Sequence, residues 1–122
     1  MAATVLIVDD DPVIQRLLRV NFEMEGYEVI VGIDGIDGLE KARTEHPDIV
    51  VLDIMMPRMS GLDVAKALKA DPETASIPVV LLSAKAQEAD LRAGDESGAD
   101  DYLTKPFDPF QLLQRVEQLL AG

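Results

Sequence analysis

The chain has 122 residues, enough for one domain with a full hydrophobic core and too few for a second folded unit beside it. It is 48% hydrophobic and 28% charged, which excludes a disordered chain, and its lack of cysteine excludes a disulfide framework and thiolate metal sites. Eleven Lys and Arg stand against 23 Asp and Glu, and the formal charge of -12 repels nucleic-acid phosphates and anionic membranes, so no direct nucleic-acid or membrane binding is expected.

The amino terminus has no basic region ahead of its apolar run, and no apolar stretch approaches bilayer length, so a soluble cytoplasmic protein is expected. Val5 to Val8 (VLIV) reads as a buried strand that stops at three acids, Asp9, Asp10 and Asp11. Asp11-Pro12 is a helix start, cap then proline, with Ile14, Leu17, Leu18 and Phe22 at helical spacing and Gly26 placed to end it. Glu28 to Val31 is a second strand. Gly35 to Glu45 is a second helix, with Ile36, Leu39 and Ala42 on one side and Pro47 beyond.

Ile49 to Leu52 is an aliphatic run with no polar alternation, the mark of a strand covered on both faces, and Asp53 stands where it ends. Pro57 to Gly61 reads as a loop, Leu62 to Ala70 as a third helix with Leu62, Ala65 and Leu68 inward, and Asp71 to Ser76 as a polar connector. Ile77 to Leu82 is a fourth strand ending at Ser83 and Ala84. Gln87 to Ser97 can form a fourth helix, weakly anchored because its one large apolar residue is Leu91 and Gly94 interrupts it. Asp101 to Thr104 is a short fifth strand, Lys105-Pro106-Phe107 turns the chain, and Asp108-Pro109 starts a last helix lined by Phe110, Leu113, Val116 and Leu120. Strand and helix signals alternating five times imply an α/β fold, a doubly wound parallel sheet with helices on both faces.

In such a sheet ordered 2-1-3-4-5, strands one and three are neighbours at the point where the winding reverses, so Asp9 and Asp10 would face Asp53. At roughly 5 Å and an effective dielectric near 20, each like-charged pair costs about 3 kcal/mol. Something positive must sit among them. A hard divalent cation with oxygen ligands, Mg²⁺ keeping some of its waters, suits carboxylates with neither His nor Cys nearby.

The paired acids Asp9-Asp10, the strand-end Asp53 with Pro57 and Gly61 after it, Ser83-Ala84 and Lys105-Pro106-Phe107 resemble the receiver domain of bacterial two-component response regulators, of the chemotaxis-regulator type. The resemblance covers essentially the whole chain and implies a flavodoxin-like fold and a phosphoacceptor signalling domain, not an enzyme, that assists its own phosphorylation and dephosphorylation. It implies that Asp53 takes a phosphoryl group from a histidine kinase or a histidine phosphotransfer protein. Asp10 would bind Mg²⁺ directly, Asp9 through water, and the main-chain carbonyl of Met55 would complete the protein ligands. Ser83 would donate its hydroxyl to the phosphoryl group and Lys105 would neutralise another of its oxygens. Pro106 holds the position where the family has a cis peptide. For the switch, Ser83 would move toward the phosphoryl group and Tyr102 would swing into the space it leaves, a motion that Ala84, small at the hinge, does not obstruct. The fourth helix, fifth strand and last helix would then show a changed face to a downstream target, as monomer or phosphorylation-dependent dimer.

Plainer readings stand beside these. Asp11 reads as a helix cap, Asp100 and Asp101 as polar residues at a strand start, His46 as an exposed helix end, and Met55, Met56 and Met59 as loop packing, since thioethers suit soft ions. Tyr102 could be an ordinary edge-strand aromatic. Asp9-Asp10-Asp11-Pro12-Val13 also resembles the nucleophile motif of haloacid-dehalogenase-like phosphatases, in which Asp9 would be the nucleophile. Against that, Asp100 and Asp101 precede Lys105, whereas that family places its acidic motif after the lysine. The chain ends at Gly122 with no basic recognition helix, so the domain is expected either to act alone or to be cut from a DNA-binding transcription regulator whose output domain lies outside it.

Overall fold

The structure is a computed structural model describing residues 2–83, 97–105 and 107–121. Five parallel strands, β1 (Thr4–Val8), β2 (Glu28–Gly32), β3 (Ile49–Asp53), β4 (Val79–Ser83) and β5 (Asp101–Thr104), form one sheet in the order β2-β1-β3-β4-β5. Four helices are seen among the described residues, α1 (Pro12–Met24), α2 (Gly35–Glu45), α3 (Gly61–Ala70) and α4 (Pro109–Ala121). This is the doubly wound order expected from the alternation of elements. The predicted helix at 87–97, Ala84 and Pro106 lie outside the described residues, except Ser97.

Strand alternation divides the core in two. Val5, Ile7, Ile49, Val51, Val80 and Leu82 face α1 and α4, packing on Leu18, Phe22, Leu112 and Val116. Leu6, Val8, Val50, Leu52, Val79 and Leu81 face the other way, onto Ala42 of α2 and Val64, Ala65 and Leu68 of α3. Successive strand residues point to opposite faces, so a strand covered on both sides must be apolar at every position, as β3 is. The edge strand β2 is protected at its far end by α2. Lys41 Nζ donates to the Val31 carbonyl at 2.7 Å, and Asp37 accepts from Ile33 N at 3.0 Å.

Helix ends follow their caps. Asp11 accepts from Val13 N at 2.9 Å, Asp34 from Asp37 N at 2.8 Å and Ser60 from Asp63 N at 3.3 Å. Gly26 (φ 91°) leads the chain out of α1, and exposed His46 (φ 47°) closes α2 in the left-handed region.

Several expected inward faces are corrected. Leu17, Ile36 and Phe110 are exposed, at 40, 50 and 62%. On α2 the reason is close approach: a Cβ on Gly38 would lie 2.6 Å from both Val8 methyls, so Gly35, Gly38 and Ala42 form the inner face and Ile36 is turned out. On α4 the buried face is Leu112, Leu113 and Val116. The fourth strand begins at Val79 instead of Ile77, because Pro78 has no N–H to give the ladder and the Asp100 carboxylate takes the Val79 amide at 2.8 Å. Among the described residues, no helix is long and apolar enough to cross a membrane.

Candidate functional site

The β1–β3 register sets Val8 beside Leu52, so the next residues of the two strands, Asp9 and Asp53, emerge together at the carboxyl edge of the sheet. Asp53 is in turn level with Leu82, one residue before Ser83, which is itself level with Thr104 of β5. Adjacent strands thus deliver Asp9, Asp53, Ser83 and the start of the Lys105 turn to one rim, at the place where the winding reverses.

Asp9 is buried and held from several sides. Its N–H donates to the Gly32 carbonyl at 3.2 Å, its carbonyl accepts from Gln15 Nε2, and its Oδ1 accepts from Asp11 N at 2.9 Å. Oδ2 is left facing Lys105. The Lys105 backbone N–H donates to the Ser83 carbonyl and continues the β4–β5 ladder. Its ammonium lies 3.2 Å from Asp9 Oδ2 and 3.4 Å from Asp53 Oδ1.

Asp9, Asp10 and Asp53 each place a carboxylate oxygen within 4.8 Å of the others, with Asp10 the exposed member. Among the described residues, three carboxylates face one ammonium. Burial, first, and the neighbouring Asp9 charge, second, hold the Asp53 carboxyl above the usual carboxylate range, and the opposing influence of Lys105 and the Met55 N–H does not overcome them. For Lys105, burial is the largest single influence and works against its charged form, but Asp9 and Asp53 together outweigh it and push the ammonium up. The lysine is therefore charged at neutral pH, and among the described residues it alone pairs with the cluster, which keeps a surplus of negative charge. An all-oxygen donor set with surplus negative charge fits a hard divalent cation such as Mg²⁺.

The segment 54–60 after β3 forms one wall. The Met55 amide stabilises the charged Asp53 carboxylate, while its side chain is 59% exposed. Met56 and Met59 pack against the α2–α3 side of the core as expected, whereas the exposed Met55 side chain corrects the expectation of packing there. Gly61 N donates to the Ile54 carbonyl at 2.9 Å, closing the segment, and a Cβ on Gly61 would overlap the Asp53 carbonyl.

Of the residues singled out from sequence, Asp9, Asp10, Asp53 and Lys105 come together, and buried Ser83 stands on the same rim. Tyr102 is half-buried on β5 and packs with the α2–α3 side of the core. Asp11 is the α1 cap, and Asp100 ties Lys69 Nζ (3.0 Å) to the start of β4. Sequence reasoning missed Asp34 and Arg58, which form an ion pair of 2.6 Å beside the site. The Asp-Gly pair opening α2 was a visible cap signal, but nothing in the sequence indicated its second partner.

The family model of the response regulator receiver domain matches residues 5–117. The chain is 48% identical over 116 residues to the DNA-binding dual master transcriptional regulator RpaA of Synechocystis, covering 95% of this chain and 48% of that protein. It is 42% identical to protein PilH of Pseudomonas aeruginosa, covering 98% of this chain and 99% of that one. Among solved structures, the receiver domain of the sensor histidine kinase PA1611 from the same organism, described with a magnesium ion coordinated in its active site cleft, superposes with a TM-score of 0.92 at 25% identity over the full length of both chains. The chain spans about half the length of several curated relatives it matches, and nearly the whole of PilH. Matched by the family model along almost its entire length, and folded as its relatives are, the chain belongs to the response regulator receiver domains of two-component signalling systems.

Proposed function

We propose that residues 1–122 act as one phosphoacceptor unit in which Asp53 receives a phosphoryl group from a phosphohistidine on a histidine kinase or phosphotransfer protein. One observation carries the reading: the Lys105 ammonium lies between Asp9 and Asp53, with Asp10 completing an acidic cluster of 4.8 Å. A carboxylate oxygen of Asp53 forms the new O–P bond while the histidine N–P bond breaks. The imidazole leaves and takes its proton from solvent. No general base is needed, because the attacking group is already an anion.

The equatorial oxygens need positive charge and hydrogen-bond donors as the transfer proceeds. Lys105 supplies an ammonium and Ser83 a hydroxyl. Asp10, Asp9, Asp53 and the Met55 carbonyl would hold Mg²⁺, which supplies charge neutralisation when bound. Attack of water on the same phosphorus releases inorganic phosphate and restores the carboxylate, so the domain promotes its own reset without turning over a separate substrate.

The output follows from a two-state shift. Ser83 draws toward the phosphoryl group and Tyr102 turns inward, changing the face that the fifth strand and the last helix present to a downstream protein or a covalently attached output domain. The test is covalent. Treat the protein with acetyl phosphate and Mg²⁺, trap the adduct with borohydride and map it by mass spectrometry. The label is expected on Asp53 and lost in Asp53→Asn. A label retained in that variant and lost in Asp9→Asn would overturn the reading.

A further inference from the structure

The buried carboxylate of Asp34 has two partners, one from each of its oxygens. Oδ1 caps α2 by accepting from Asp37 N at 2.8 Å, and Oδ2 accepts from Arg58 Nη2 at 2.6 Å. Arg58 belongs to the segment after β3 and is held at φ 69°, a conformation that a non-glycine residue adopts at a cost. Next to it, the Met59 carbonyl fills the space where a Cβ on Gly35 would stand, so the start of α2 and this segment are fitted together at two successive positions. The same seven residues, 54–60, are tied to the acidic cluster at their front end by the Met55 amide and closed at their back end by the Gly61-to-Ile54 hydrogen bond.

We propose that Asp34 and Arg58 are positioning residues, a clamp that fixes the 54–60 segment so that the Met55 backbone is presented to the cation held by Asp9, Asp10 and Asp53. The inference rests on the phosphoacceptor reading above. The main chain at Met55 is bound on one side by its own contact with Asp53, and a flexible segment would have to be ordered whenever the cation binds. Holding it in place beforehand removes that cost, as supporting partners of metal ligands do. The pair lies outside the cluster, so it acts through the backbone and contributes no ligand.

The test is the Mg²⁺ affinity of the whole chain, read by NMR titration of amide shifts, for wild type, Arg58→Gly, Arg58→Lys and Asp34→Asn. Glycine suits φ 69° but removes the whole Arg58 side chain and frees the backbone, so Asp34→Asn, which keeps an oxygen for the α2 cap and leaves Arg58 in place, separates loss of the ion pair from added flexibility. Arg58→Gly and Asp34→Asn are expected to weaken Mg²⁺ binding by about threefold to tenfold, below the full effect of a buried supporting partner because the Arg58 side chain is 67% exposed. Arg58→Lys should stay within about twofold of wild type, since an ammonium can restore a single contact. Wild-type affinity in Arg58→Gly or in Asp34→Asn, or equal losses in the Gly and Lys variants, would overturn the clamp and leave the phosphoacceptor reading standing. Absence of Mg²⁺ binding in the wild type would sink both the clamp and the reading it rests on.

Discussion

Gly61 stands so close to Asp53 that a side chain on the glycine would run into the aspartate's own carbonyl group. The first residue of α3 is therefore in contact with the backbone of the proposed acceptor, and the two cannot move independently. Gly61→Ala should displace the 54–60 segment, lower stability by about 1–3 kcal/mol and cut acetyl phosphate labelling more than tenfold. Urea unfolding and borohydride trapping on the same preparation check both; unchanged labelling would show that the contact is relieved on the α3 side alone.

A second glycine tests packing one residue back from the site, against the Val8 that precedes Asp9. Gly38→Ala gains up to about 1 kcal/mol of helix propensity but sets a methyl 2.6 Å from both branches of Val8. Overpacking of a β-branched neighbour on a central strand prevails, so a net loss of about 1–2 kcal/mol is expected, with Asp53 labelling retained. A stabilised variant would mean that α2 slides outward at no cost.

Charge crowding at the cluster predicts the response to Mg²⁺. Millimolar Mg²⁺ should raise the thermal midpoint of the wild type and leave Asp53→Asn much less affected, while metal-free Asp53→Asn should melt about 2–6 °C above the metal-free wild type. Differential scanning calorimetry with and without EDTA decides it.

The pH dependence has a definite sign. Because burial and Asp9 raise the Asp53 carboxyl in the folded state, the native protein holds that proton more tightly than the unfolded chain does. The associated stability is fully present below the unfolded value near 3.9 and is lost as pH rises through the higher folded value. In metal-free buffer the wild type should therefore lose stability relative to Asp53→Asn on going from about pH 4 toward neutrality. Urea midpoints at half-unit intervals measure the gap; a gap that moves the other way contradicts the electrostatic account.

Removing the ammonium should deepen the dependence on metal. Lys105→Ala strips the shared counter-ion from two buried carboxylates, at a cost of about 1–3 kcal/mol without Mg²⁺, reduced because the lysine side chain is one-fifth exposed. The variant should still fold and recover most of the loss on adding Mg²⁺, yet fail to pass phosphorylation on to the distal face. A chain that cannot fold even with the metal would make Lys105 a structural residue.

Much of the fold was legible because strand and helix signals differ in kind. Ile49 to Leu52, apolar at every position, could only be a strand covered on both faces, and Asp11-Pro12 could hardly be anything but a helix start. The rim of the site followed from where such runs stop: Asp9, Asp53 and Ser83 are each the first polar residue after an aliphatic strand. Contacts between elements were less visible. Helical spacing alone assigned Ile36 inward because it cannot register that Gly38 must lie against Val8, and the Asp34–Arg58 pair joins residues 24 apart in sequence through a backbone turn that leaves no periodic trace. Phe110 was misplaced for a similar reason, since a single aromatic in the first turn fits either side of the stripe.

Asp9 and Lys105 meet across 96 positions of sequence. During synthesis the acids of β1 and β3 leave the ribosome well before the lysine that neutralises them, and domains of this size fold as units once their last strand can dock. A chain that has not yet emerged as far as Lys105 has no such ammonium to set between Asp9 and Asp53, and closing the β1–β3 rim before then buries two carboxylates without it. The oldest strands of the sheet are thus settled by a side chain that arrives among the last.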